Sequence, residues 1–203
     1  MKMNQNNQNK YFVQNRVKWK QAQDFAFRYM QRFTNNPYHD NTHMKEVVRD
    51  SLILSAREGI DSRSRYIIST AALFHDIIYK IGKKNNEERS ARVAGYILKK
   101  IGYNQKDIDE IQKLILSTKM PVNPKSHLEK IICDADVDNL GREDFFEKSQ
   151  LVRQELGISD DKEWYKSMHG FLGNHNYYTA SAKSRRDKGM RMNLSELETR
   201  IEK

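Results

Sequence analysis

Apolar side chains recur along this chain at helical spacing, broken by short polar or proline-marked gaps. From Tyr11 onward, apolar residues at 12, 13, 19, 25, 27, 29, 30 and 33 predict a first helical stretch, with Pro37 ending the connection that follows. Residues 41–58, NTHMKEVVRDSLILSARE, predict the next helix, stopped by Gly59. Asp61 or Ser62 suits the N-cap of a third, running to about Ile81. GKKNN reads as a loop, and Asn86 as the N-cap of EERSARVAGYILKKI, which Gly102 closes. Asn104 caps QKDIDEIQKLILSTK, MPVNPKS is a proline-marked loop, and HLEKIICDADVDNLG forms a shorter helix. The last sixty residues read as two or three more helices with an aromatic patch, NHNYY, between them. The chain has only three prolines and no sustained alternation of apolar and polar residues. The expectation is therefore an all-α, single-domain bundle over residues 11–203, preceded by a disordered tail over 1–10. No internal repeat, GxGxxG, P-loop or CxxC is present.

One stretch conflicts with the core that its pattern predicts. In TAALFHDIIY the apolar residues surround His75 and Asp76 on nearly all sides, which marks a central helix. An ionised carboxylate buried without a partner costs several kcal/mol, comparable to the net stability of a domain. Asp76 therefore needs a cation or several donors. A divalent metal shared with His75 meets that need; so does a His–Asp hydrogen-bonded pair, the ordinary explanation of an isolated HD dipeptide.

Two further clusters bear on the choice. Upstream, His39 and His43 in PYHDNTHMKEV stand four apart and share a face if the helix begins early. Downstream, Asp134, Asp136 and Asp138 in DADVDNLG repel one another unless a cation or solvent relieves them. An EF-hand does not explain them, since the glycine at loop position six and the glutamate at position twelve are missing.

The order His, then His-Asp, then Asp resembles the HD-domain phosphohydrolase superfamily. The longer match is similar to its branch of predicted metal-dependent HD phosphohydrolases, at YHDNTH, ALFHDIIY, NNEERSARVA, DADVDNLG and NYYT…R…NLSEL. It spans roughly residues 30 to 200. The resemblance implies a helical bundle holding a divalent ion: His43 as first ligand, His75 and Asp76 as the central pair, and Asp136, which follows an alanine, as the last. His39 matches a histidine that serves as general acid in the related cyclic-nucleotide phosphodiesterases. Glu87 shares a helical face with Ala91, Ala94 and Leu98, which would carry it towards the ion as a base or water-orienting group; its place in a first turn is also explained by the helix dipole. Several branches carry extra histidines between the HD pair and the last aspartate. Here that interval holds only His127, and Met120 stands where a histidine would be sought. One ion per site is the expectation, with Mn, Mg, Fe, Zn or Co all compatible with histidine and carboxylate ligands.

The implied reaction is hydrolysis of a phosphoester or phosphoanhydride of a nucleotide or similar small phosphate, with Lys119, Arg185 and Arg186 as substrate-binding candidates. The same sequence also admits an HD-type di-iron oxygenase, against which the sparse histidines count, or a noncatalytic nucleotide- or nucleic-acid-binding protein. A net charge of +9 suits phosphate-bearing partners, small phosphates ahead of nucleic acid. No apolar run approaches a membrane span, and the polar start lacks a signal-peptide core, so a cytoplasmic location is expected. The sequence sets no oligomeric state.

Overall fold

The computed structural model describes residues 10–203, which are helical and contain no strand. The helices are α1 (Lys10–Gln14), α2 (Arg16–Phe33), α3 (Asn41–Arg57), α4 (Ser62–Phe74), α5 (Asn86–Ile101), α6 (Gln105–Ser117) and α7 (His127–Asp136). A 3-10 turn (Asp138–Gly141) follows, then α8 (Phe145–Leu156), α9 (Asp161–Asn174) and α10 (Ala180–Glu202). The all-α, single-domain expectation holds. The expected disordered tail lies outside the described residues except for Lys10, which opens α1.

Helices begin where a short polar side chain meets the first free N–H groups. Asp40 accepts from Thr42 and His43, Asp61 from Arg63 and Ser64, and Asn104 from Asp107. Ser126 and Glu129 form a reciprocal capping box. Gly102 ends α5 at φ +91°, in the left-handed region that glycine enters freely. Helix α4 is the axis of the bundle, packed by α2, α3, α6 and α7. Every residue from Tyr66 to Phe74 is buried. Its two central hydroxyls cost little there, because Ser69 and Thr70 both donate to the Tyr66 carbonyl.

Three boundaries differ from the pattern. Helix α4 ends at Phe74, not near Ile81. Beyond it, side chains from α5 satisfy the backbone. Ser90 Oγ accepts from the Ile78 N–H, and Asn86 accepts from the Lys80 N–H while donating to the Lys80 and Lys83 carbonyls. Ile77, only 1% exposed, drops into the core and keeps the segment apolar without keeping it helical. Asn86 thus staples this loop, and Asn85 is the N-cap residue of α5. The third difference is at Val137, where the expected helix over 127–141 breaks and reforms as the 3-10 turn.

Candidate metal centre

His75 is the C-cap of α4 and keeps helical torsions (φ −56°, ψ −42°). Its Nε2 lies 3.1 Å from Oδ2 of Asp76, the next residue. His43, on the first turn of α3, and Asp136, the last residue of α7, complete the set. His43 Nε2 is 3.3 Å from His75 Nε2, and each nitrogen is 3.2 Å from Asp136 Oδ1. His43 Nε2 is also 3.7 Å from Asp76 Oδ2. One ligand atom from each of the four residues lies within 4.8 Å of all the others.

The donor chemistry fits a cation. His75 Nδ1 donates to the Ala72 carbonyl at 2.9 Å, so the neutral ring carries its lone pair on Nε2. That lone pair converges with two carboxylates and a second imidazole nitrogen in a buried site, a donor set that suits a divalent cation. A first-row metal with bonds of about 2.1 Å sets its ligand atoms about 3 to 3.5 Å apart, close to the observed spacing. The same field acts on a proton. Burial pushes His75 down, but Asp76 and Asp136 outweigh it and hold the ring well above its ordinary value. Burial pushes both aspartates up, yet the histidines hold them below the carboxylate range.

Around this centre opens a cleft of about 780 Å³. His39, Tyr79, Glu87 and Asp136 lie along its floor and side, Lys83, Lys84 and Lys119 at its basic edge, and Phe145, Trp164, Met168 and Phe171 along an apolar wall. Glu87 is half-buried, and burial, with Asp76 and Glu88 nearby, raises its carboxyl above the ordinary value. Lys119 is held by Glu88, one residue along α5. Arg185 and Arg186 do not line the cleft. Arg185 pairs with Asp50 at 3.2 Å, and Arg186 grips Asp138 at 2.9 and 2.6 Å. Both are spent on buried carboxylates, which explains a double arginine without any ligand.

His39 is brought to the cleft by a residue that the sequence reading passed over. Its ring stacks on Tyr79, with centroids 3.6 Å apart, and its Nδ1 lies 2.5 Å from Glu155 Oε1. Glu155 Oε2 also accepts from the Tyr38 and His39 N–H groups, at 3.0 Å each. His39 Nε2 faces Asp76 Oδ2 at 3.8 Å. Burial pushes His39 down, but Glu155 and Asp76 raise it above its ordinary value. A signal existed in α8: Phe145, Lys148, Ser149 and Glu155 are its buried residues, so polar groups occupy positions where a core helix carries aliphatic ones. The apolar wall was missed because its members are spread over α8 and α9 with ordinary core spacing.

Helical bundle, HD turn and converging His/Asp set together define the class, and residues 41–139 match the family model of the HD domain. The chain carries an HD domain. Solved structures share its fold. Bacillus subtilis YpgQ, determined in complex with ADP, superposes with a TM-score of 0.66 at 19% identity, over 92% of this chain and 96% of that one. The Lin1889 protein of Listeria innocua gives 0.65 at 17% identity, over 93% and 96%. A predicted HD superfamily hydrolase from an uncultured Thermotogales bacterium gives 0.61 at 19% identity, over 92% and 90%. Among curated proteins, none matches. No helix among the described residues is long and apolar enough to cross a membrane.

Proposed function

We propose that the protein is a metal-dependent phosphohydrolase that cleaves a phosphoester or phosphoanhydride of a nucleotide or similar small phosphate in the cytoplasm. The observation that carries this reading is the convergence of His43, His75, Asp76 and Asp136 at the floor of a cleft with a basic edge and an apolar wall. The ADP complex of YpgQ supports a nucleotide as the substrate class.

The four residues would hold one divalent ion, which supplies Lewis acidity toward phosphoryl oxygens and acidifies water. The remaining work falls to side chains of the chain itself. Lys83, Lys84 and Lys119 draw the phosphates to the edge of the cleft, and Lys119 exchanges its Glu88 partner for a phosphate oxygen. The aromatic wall takes the organic part of the substrate and excludes water from it. Glu87, with its raised carboxyl, accepts a proton from the attacking water. His39 donates the Nε2 proton to the leaving oxygen, while Glu155 accepts the Nδ1–H and stabilises the imidazolium.

The test is a substrate panel. Metal-depleted protein is reconstituted separately with Mn²⁺, Mg²⁺, Fe²⁺, Zn²⁺ and Co²⁺, then offered nucleoside mono-, di- and triphosphates, cyclic nucleotides and p-nitrophenyl phosphate. Metal-dependent release of phosphate, pyrophosphate or nitrophenol is expected. Binding without hydrolysis of any member would overturn the enzymatic reading.

A further inference from the structure

Asp136 stands between two aspartates that face away from the cleft. Asp134, fully buried, accepts from the Tyr178 N–H at 2.8 Å, the Thr179 N–H at 2.8 Å and the Thr179 hydroxyl at 2.7 Å. Asp138, 2% exposed, is held by the two-pronged contact from Arg186. Between them the Tyr177 hydroxyl donates to the Val137 carbonyl at 3.2 Å. Further on, Asn193 Nδ2 donates to the Leu140 and Arg142 carbonyls at 2.9 and 3.0 Å. The backbones meet at two glycines: a Cβ added to Gly189 would lie 2.1 Å from the Gly141 carbonyl oxygen. The whole return from Asp134 to Arg142 therefore rests on residues 177–193, well beyond the segment 41–139 that matches the HD domain.

We propose that Arg186 and Thr179 are positioning residues, which lock the Asp136 carboxylate in its ligating place from behind. The proposal rests on the metal-centre reading above. Asp136 is the terminal residue of α7, and only a four-residue 3-10 turn follows it. Helix ends fray, and a ligand placed there keeps its position only if its neighbours are anchored. Asp134 on one side and Asp138 on the other are those anchors. Asp138 is a buried carboxylate whose charge Arg186 compensates, and Asp134 one whose oxygens are satisfied by three donors of the C-terminal segment, so loss of the partner forces the anchor, and the turn with it, to move towards solvent. The alternation of the three aspartates follows: the middle one faces the cleft and the outer two face the clamp.

The test uses the full chain, depleted of metal and titrated with Mn²⁺ by calorimetry, with hydrogen exchange at residues 134–141 followed in the metal-free protein. Arg186→Met is expected to weaken Mn²⁺ binding about tenfold and to speed exchange across this turn. Arg186→Lys, which restores the charge without the two-pronged contact, should recover part of both. Thr179→Val should show a smaller loss of the same kind. Leu197→Ala, one turn beyond Asn193 on the same helix, should lower thermal stability and leave Mn²⁺ affinity unchanged. Wild-type affinity and exchange in Arg186→Met would overturn the proposal. So would an equal loss of affinity in Leu197→Ala, which would mark the effect as general destabilisation. If the wild-type protein binds no Mn²⁺, the metal reading fails, and the exchange rates at 134–141 still decide whether the clamp exists.

Discussion

Replacing Glu155 by glutamine tests the cleft where it is most tightly built. The carboxylate side chain is fully buried and serves three donors: the Tyr38 N–H, the His39 N–H and His39 Nδ1. Glutamine has nearly the same shape, and its single oxygen keeps the two backbone donors. Its amide nitrogen then faces Nδ1, which must be unprotonated to receive it. The Glu155→Gln ring is held neutral with its proton on Nε2, and the imidazolium becomes unfavourable because two donors would meet. A charge-assisted hydrogen bond contributes about 1.5 to 3 kcal/mol, so urea unfolding should show a loss in that range. General acid catalysis is worth about 10²- to 10⁴-fold, so turnover should fall by about 10²-fold or more while Mn²⁺ affinity stays near wild type. Wild-type turnover in Glu155→Gln would refute the role given to His39. Equal loss in metal affinity and turnover would show instead that Glu155 acts only by holding the entry to α3.

Glu87→Gln should retain Mn²⁺ and lower kcat by about 10²-fold, as expected of a lost base; unchanged kcat in a steady-state assay would remove Glu87 from the chemistry. Phe171→Ala, at an exposed position on the apolar wall, should raise KM several-fold with kcat nearly constant, because the wall binds ground state and transition state alike. A fall in kcat alone would contradict that assignment. Away from the cleft, hydrogen bonding from Ser181 and the neighbouring His127 hold the Glu58 carboxyl below its ordinary value against the opposing effect of burial. Its stabilisation is therefore complete above about pH 4.5 and drains away as pH falls through the lowered folded value. Glu58→Gln should show a shallower loss of stability on acidification than wild type in parallel urea melts, and equal slopes would disprove the coupling.

The sequence carried the helical framework because caps and periodicity are local. Asp61, Asn104 and Ser126 each announce a helix start that needs no tertiary information. His75 and Asp76 stood out for a different reason: buried charge is costly, so their place inside an apolar run required an explanation, whereas His43 and Asp136 joined them as ligands through the resemblance to the HD-domain superfamily. Where the reading went astray, a distant side chain had replaced a local hydrogen bond. Helix α4 stops because Ser90 and Asn86 satisfy the backbone that follows, an arrangement invisible to apolar spacing. Arg185 and Arg186 look like phosphate ligands in isolation, and only the fold brings Asp50 and Asp138 to them. Glu155 lies 116 residues from His39, and nothing local marks it except a carboxylate on the buried side of its helix.

The central claim is that four side chains from two helices and one turn meet on a single divalent cation. It is tested most directly by the anomalous signal of Mn²⁺ in crystals of the metal-reconstituted protein. The account predicts one strong peak within bonding distance of His43, His75, Asp76 and Asp136, and its loss in Asp76→Ala. A peak elsewhere, or one that survives that substitution undiminished, would contradict it.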